Sequence, residues 1–258
     1  MINSIRAVAF GRAFEVRSPE ELAPGLIAAL PEGWAATSDP PERTWTIEKR
    51  DGEFRAVAET QVLGQTPDPV FACHLLSSDL ELWVAEHARR RIFVHAGCVA
   101  VGSYALVLPG STHAGKSTLT AALVRAGATY YSDEFAVLAP DGRVHPYPRP
   151  LTMRMAPGSR GTRMPITDIG GHAGTKPAAV ALVAQLVHDA TAGWQVRERS
   201  AGAAMLALIT NAVAAKSRPR AVMSAIARAT TGCVALTGTR GDAEDAAEIL
   251  LARLHDVT

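Results

Sequence analysis

The chain has 258 residues, enough for one large domain or two unequal ones. Hydrophobic residues make up 48%, so a sizeable core can form, while 20% are charged and the formal net charge is +1, which gives no electrostatic basis for general nucleic-acid binding. Cys73, Cys98 and Cys233 stand far apart, so neither a zinc site nor a disulfide framework is indicated, and buried thiols in a reducing cytoplasm are expected.

The first sixteen residues carry arginines inside their apolar stretch, which does not fit a secretory signal. No apolar run approaches the ~18 residues of a membrane-spanning helix. The expectation is a cytoplasmic protein without membrane or nucleic-acid partners. Residues 5–16 read as one strand. Residues 19–30 read as a short or broken helix, with Ser18 as its cap and Pro24-Gly25 interrupting it. Residues 44–50 and 53–62 are alternating runs, and Asp51-Gly52 between them signals a hairpin. Residues 68–91 read as one long helix or two joined ones, with Leu75, Leu76, Leu80, Leu82, Val84 and Ala88 as the apolar face. The first 91 residues are thus expected to form a small α+β lobe.

From residue 92 the pattern changes. Residues 92–101 and 105–108 read as strands joined at Gly102-Ser103. A helix over 118–125 should end at Gly127. Further strands are expected at 128–131, 135–138, 179–187, 194–198 and 233–237, and helices at 200–215, 219–229 and 242–254. Residues 156–177, rich in Gly, Pro, Thr and Arg, read as a long irregular loop. The second domain is expected to span 92–258.

The most specific signal is ALVLPGSTHAGKST over 105–118. Gly110, Gly115, Lys116 and Ser117 fit the G-x-x-x-x-G-K-[ST] phosphate-binding loop, in the required order of strand, loop and helix. Its glycines let backbone N–H groups wrap around phosphate oxygens. Ser111, Thr112, His113, Ala114 and Thr118 belong to the same binding stretch. Lys116 is expected to reach the β- and γ-phosphates, and the Ser117 hydroxyl to hold Mg²⁺. The side chain of His113 has no assigned task, because the loop works through its backbone.

The second signal is YYSDEFAVL over 130–138. Two carboxylates within an apolar strand need partners or tasks, and neighbours in a strand point to opposite faces. Asp133 and Glu134 are therefore candidates for proton acceptance and Mg²⁺ support. The other reading is a turn with solvated acids. His95, in FVHAGCVAV, is either a core histidine or a site residue.

With these motifs in view, the chain resembles the HPr kinase/phosphorylase family, most closely its shorter HPr-kinase-like relatives. The shared segments are His95 to Val99, LPGSTHAGKSTL (108–119), G-A-x-x-x-S-D-E (127–134), YPRPL (147–151) and the pattern from Val180 onward. The resemblance implies a P-loop kinase core of the HPr kinase and PEP carboxykinase type, a mixed sheet with flanking helices. It implies transfer of the γ-phosphate of ATP or GTP to a serine-type hydroxyl, Asp133 as proton acceptor and His95 assisting it. It also implies a peptide or protein substrate and, as in many members, an oligomer. Some relatives of this type stand beside ribosomal-peptide genes and phosphorylate a precursor or lasso peptide.

Two departures matter. Glu134 stands where the family usually has Asp. The E-x-R-G segment of HPr kinases proper is absent, and LTMRMAPG (151–158) stands there with Arg154. HPr itself is therefore not the expected substrate. Arg149, Arg154 and Lys176 are candidates for stabilising charge at the transferred phosphoryl group. The alternatives are a kinase of a small hydroxylated metabolite or sugar, and a non-catalytic ATP-binding regulator.

Overall fold

Tight turns set the strand pattern of the first sheet. Phe10 and Gly11 both have positive φ, 50° and 74°, and split the single strand expected over 5–16 into a hairpin, β1 (Ile2–Ala9) and β2 (Arg12–Pro19). The structure, a computed structural model, describes residues 2–110, 114–153 and 161–257. It divides into two compact units, Met1–Arg90 and Arg91–Thr258.

In the first unit Pro19 closes β2, and a single 3₁₀ turn (Glu20–Leu22) leads into α1 (Ala23–Ala29). Ser18 belongs to β2 and is buried there, and it does not cap the helix as expected. Pro24 falls in the first turn of α1, where its missing N–H costs nothing. After β3 (Ala35–Ala36), β4 (Arg43–Arg50) and β5 (Glu53–Ala58) form the Asp51-Gly52 hairpin. Glu59, with φ of 53°, ends β5 early and starts β6 (Gln61–Thr66). The run 53–62 is therefore two strands. One helix, α2 (Pro69–His87), follows, and the Asp68 carboxylate accepts from the N–H groups of Val70 and Phe71 at its start.

The six strands order as β3-β1-β2-β4-β5-β6, antiparallel except for β2 beside β4. Phe14, Trp45, Leu26, Leu76 and Leu80 fill the core of this unit. Of the expected helix face, Leu76, Leu80, Val84 and Ala88 are buried, whereas Leu82 is exposed.

The second unit opens with β7 (Ile92–Val101) and β8 (Tyr104–Pro109), turning at Gly102. Next come α3 (Lys116–Arg125), β9 (Thr129–Ser132), β10 (Phe135–Leu138) and β11 (Val144–His145). Strands β12 (Leu151–Met153) and β13 (Thr162–Met164) pair as a separate ribbon. The described part of the expected loop 156–177 thus contains a strand, and also a 3₁₀ turn at Ile166–Ile169. The unit continues with β14 (Ala179–His188), β15 (Gln195–Arg199), α4 (Ala201–Thr210), α5 (Pro219–Ala229), β16 (Val234–Arg240) and α6 (Ala243–Asp256).

The eight-stranded sheet orders as β11-β10-β7-β8-β14-β16-β15, with β9 also paired to β7. Its centre, β8-β14-β16, is parallel. Helices cover both faces, α3 and α6 on one and α4 and α5 on the other. Two-sided burial explains why these strands read as continuous apolar runs. Helix α4 stops at Thr210, five residues before the expected end. There the Val213 N–H donates to the Phe93 carbonyl and the Asn211 carbonyl accepts from the His95 N–H, so the chain leaves the helix to line β7. Among the described residues no helix is long and apolar enough to cross a membrane.

Candidate functional site

The central parallel strands end together. Val107 of β8 pairs with Val183 of β14, and His188 at the end of β14 pairs with Arg240 at the end of β16. The crevice beyond such carboxyl ends is where open α/β sheets bind ligands. Strand β8 delivers the chain there at Pro109-Gly110, and the glycine loop begins.

Gly115 closes the loop in the left-handed region, φ 77° and ψ 21°, immediately before α3. A side chain is excluded there twice, by that backbone and by the Arg240 Nη2, which a Cβ would meet at 2.6 Å. The Lys116 Nζ folds back and donates to the Gly110 carbonyl at 2.8 Å. Ala114, Gly115, Lys116 and Ser117 are half-buried and Thr118 is exposed. Ser111, Thr112 and His113 of the expected binding stretch lie outside the described residues, as does Arg154.

Helix α3 comes close to β7 at one residue. A Cβ on Gly97 would sit 2.6 Å from the Thr120 hydroxyl, so only glycine lets the helix lie this near the strand. This contact matters because, beyond a bulge between Cys98 and Val99 where the pairing with β9 shifts by one residue, Cys98 stands opposite Ser132 and His95 opposite Phe135 in the same register. Asp133 and Glu134 connect the two strands and fall opposite Gly97 and Ala96. The sequence pattern places the acids inside one apolar strand; they sit instead in a short break between two, closer to the alternative reading of a turn. The Ser132 hydroxyl accepts from the N–H groups of both Glu134 and Phe135 and holds that break. The Glu134 carbonyl accepts from the Ala96 N–H at 3.2 Å.

The two acids have different surroundings. Asp133 is 8% exposed, and its Oδ1 is buried with no hydrogen-bond partner. Burial pushes its carboxyl up to about 6, against a hydrogen bond from Ser117 and the charge of Lys116, while Glu134 pushes further upward. Glu134 is exposed, with its Oε1 3.5 Å from the His95 Nδ1. Burial lowers the pKa of His95, as does the Lys116 ammonium, so the imidazole is neutral at neutral pH. Burial also lowers the pKa of Lys116, against the charges of Asp133 and Glu134.

Lys116, Ser117, Asp133, Glu134 and His95 are therefore brought together at the end of β8. The two remaining basic candidates are Arg149 and Lys176. The carbonyls of Arg149 and Lys176 accept from the hydroxyls of Tyr130 and Tyr131 at 2.8 and 2.5 Å, and the Arg149 charge acts on Tyr130. The Lys176 side chain is exposed. Sequence reasoning missed Gly97, Asn211 and Arg240. Of these, only Arg240 carried a visible signal, a cation ending an apolar strand between Gly238 and Gly241.

Among the described residues no group of three or more His, Cys, Asp or Glu is placed to hold a metal ion. The available donors are the Ser117 hydroxyl and the Asp133 carboxylate, whose Oδ1 is unpartnered. Such a sparse set fits Mg²⁺, which takes one or two protein oxygens and completes its shell with water and phosphate. It does not fit zinc. No family model, curated protein or solved structure matches the chain.

Proposed function

We propose that the second unit is a Mg²⁺-dependent kinase of the HPr-kinase-like type, transferring the γ-phosphate of ATP or GTP to a hydroxyl, most favourably a serine of a peptide or protein. The observation that carries this reading is the buried Asp133 Oδ1, without a hydrogen-bond partner, beside the loop lysine and serine. A carboxylate raised to about 6 is a stronger base than an ordinary aspartate and is still ionised at neutral pH.

In this mechanism the loop N–H groups and Lys116 bind the triphosphate. Ser117 and Asp133 would hold Mg²⁺, whose charge would offset that of the transferring group. Asp133 takes the proton of the acceptor hydroxyl as its oxygen bonds to the γ-phosphorus and the bond to the nucleoside diphosphate breaks. The exposed Glu134 carboxylate and the neutral His95 ring, 3.5 Å apart beside Asp133, are placed to orient the acceptor hydroxyl. The sequence motifs support the same family and its P-loop kinase core, and the missing E-x-R-G segment argues against HPr as acceptor.

Incubation with γ-labelled ATP and Mg²⁺, with peptides encoded beside the gene and with small polyols, tests the reading. Label on a peptide serine is the expected result. Label on a small hydroxyl compound would reassign the acceptor. Nucleotide binding without transfer to any acceptor would point to a regulator and refute the kinase assignment.

A further inference from the structure

One buried cation at the loop has no part in the chemistry above. Arg240 is 2% exposed. Its Nη2 donates to the Gly115 carbonyl and its Nη1 to the Gly241 carbonyl, both at 2.9 Å. Its Nε is buried with no hydrogen-bond partner. The acids that act on it, Asp242 and Glu244, are engaged elsewhere. Asp242 accepts from the N–H groups of Glu244 and Asp245 at the start of α6, and Glu244 pairs with Arg125 at 2.6 Å. Among the described residues Arg240 makes no ion pair. Burying a guanidinium without a counter-ion is costly, and that cost falls when an anion binds nearby.

One of the two hydrogen-bond partners of Arg240, Gly115, closes the glycine loop, where such an anion would bind. The Gly115 carbonyl also accepts from the Leu119 N–H, so the guanidinium grips the first turn of α3 from below, at the end where helix N–H groups favour anions. His188, the register partner of Arg240, lies on the same glycine, its Cβ 3.2 Å from where a Gly115 Cβ would stand.

We propose that Arg240 is a positioning residue for the triphosphate: it clamps Gly115 in the left-handed conformation and holds a buried positive charge beneath the loop that a bound polyphosphate neutralises. This rests on the phosphate-loop reading, not on phosphoryl transfer. Arg240 touches Gly115 rather than any reacting atom, so its removal should change anion affinity far more than turnover.

The test is calorimetric titration of wild type, Arg240→Gln and Arg240→Met with Mg²⁺-ATP and with inorganic pyrophosphate, together with melting curves of the ligand-free proteins. Both variants should bind each probe about tenfold more weakly, equivalent to about 1.4 kcal/mol. Arg240→Met should melt, ligand-free, at or above the wild-type temperature, because an apolar side chain of similar length removes an uncompensated charge. A purely structural role gives the opposite pattern, a lowered ligand-free melting temperature with unchanged affinity in the folded protein, and would overturn the proposal. If Arg240→Met fails to fold, Arg240→Gln decides, since it keeps a donor for Gly115 and loses the charge. Failure of both to fold would overturn the proposal. Wild type that binds neither probe would refute the loop reading and the proposal with it. Weakened binding in the variants supports the proposal even where no acceptor is phosphorylated.

Discussion

Two buried carboxylates, one in each unit, receive opposite treatment. Glu15 in β2 is 3% exposed and fully engaged: Ser4 donates to it at 2.7 Å, the Arg17 Nη2 at 2.6 Å and the Arg6 Nε at 3.4 Å. These contacts, the Ser4 hydrogen bond foremost, hold its carboxyl below the usual glutamate range. Asp133 is 8% exposed, keeps one oxygen without a partner, and is raised to about 6. The first arrangement stabilises a charge inside a sheet. The second leaves a charge poorly compensated at the end of a strand, beside a lysine and a glycine loop, the placement that the proposed kinase reading uses for proton transfer.

The comparison can be broken most severely at the cations. Lys116→Met should cut phosphoryl transfer about 10³-fold, about 4 kcal/mol in the barrier, whereas Arg17→Met should leave transfer unchanged. Initial rates with labelled ATP check both. Equal losses in the two variants would erase the distinction between the sites.

The pH dependence of stability should have opposite signs at the two acids. The folded pKa of Asp133, about 6, lies above its ordinary 3.8. Its contribution in the metal-free protein is therefore fully present below pH 3.8 and lost as pH rises through 6, about 3 kcal/mol in all. The folded pKa of Glu15 lies below its ordinary 4.5, so its contribution is present above that value and lost as pH falls below it. Urea unfolding of wild type, Asp133→Asn and Glu15→Gln across pH 3 to 7 should show each slope disappear with its own residue. An unchanged slope in Asp133→Asn would remove the physical basis for its raised carboxyl.

Smaller effects sharpen the picture. Gly97→Ala should cost about 1–3 kcal/mol by forcing the Thr120 hydroxyl away from β7, and it should lower transfer because Asp133 stands opposite that glycine. Thermal melting with transfer rates checks this, and a loss of stability alone would separate the packing of α3 from the geometry of the acid. Glu15→Gln should cost only about 1 kcal/mol at neutral pH and leave transfer intact, because its partners Arg6 and Arg17 are about half exposed and can turn to water.

What could be read from the sequence followed chemistry with a short spacing. The Asp51-Gly52 hairpin, the strand and helix on either side of the glycine loop and the strand expected at 179–187 all carry local signals and all form. The turn at Phe10-Gly11 was hidden because phenylalanine rarely takes positive φ. The early end of α4 was hidden because its cause is a pairing between Ala212 and Val94, far apart in the chain. At the site, His95, Lys116, Ser117, Asp133 and Glu134 were named from residue type and motif. Arg240 and Gly97 were not, because a buried cation and a close helix approach become visible only when distant segments meet.

The central claim is that Asp133 is kept poorly compensated in order to accept a proton. The most direct measurement combines nucleotide affinity with transfer of labelled phosphate for wild type and Asp133→Asn on one acceptor preparation. The account predicts that Asp133→Asn binds ATP in the absence of Mg²⁺ within about threefold of wild type and, with Mg²⁺ present, loses transfer about 10³-fold, since a general base contributes 10²–10⁴. Transfer at the wild-type rate in Asp133→Asn would contradict it.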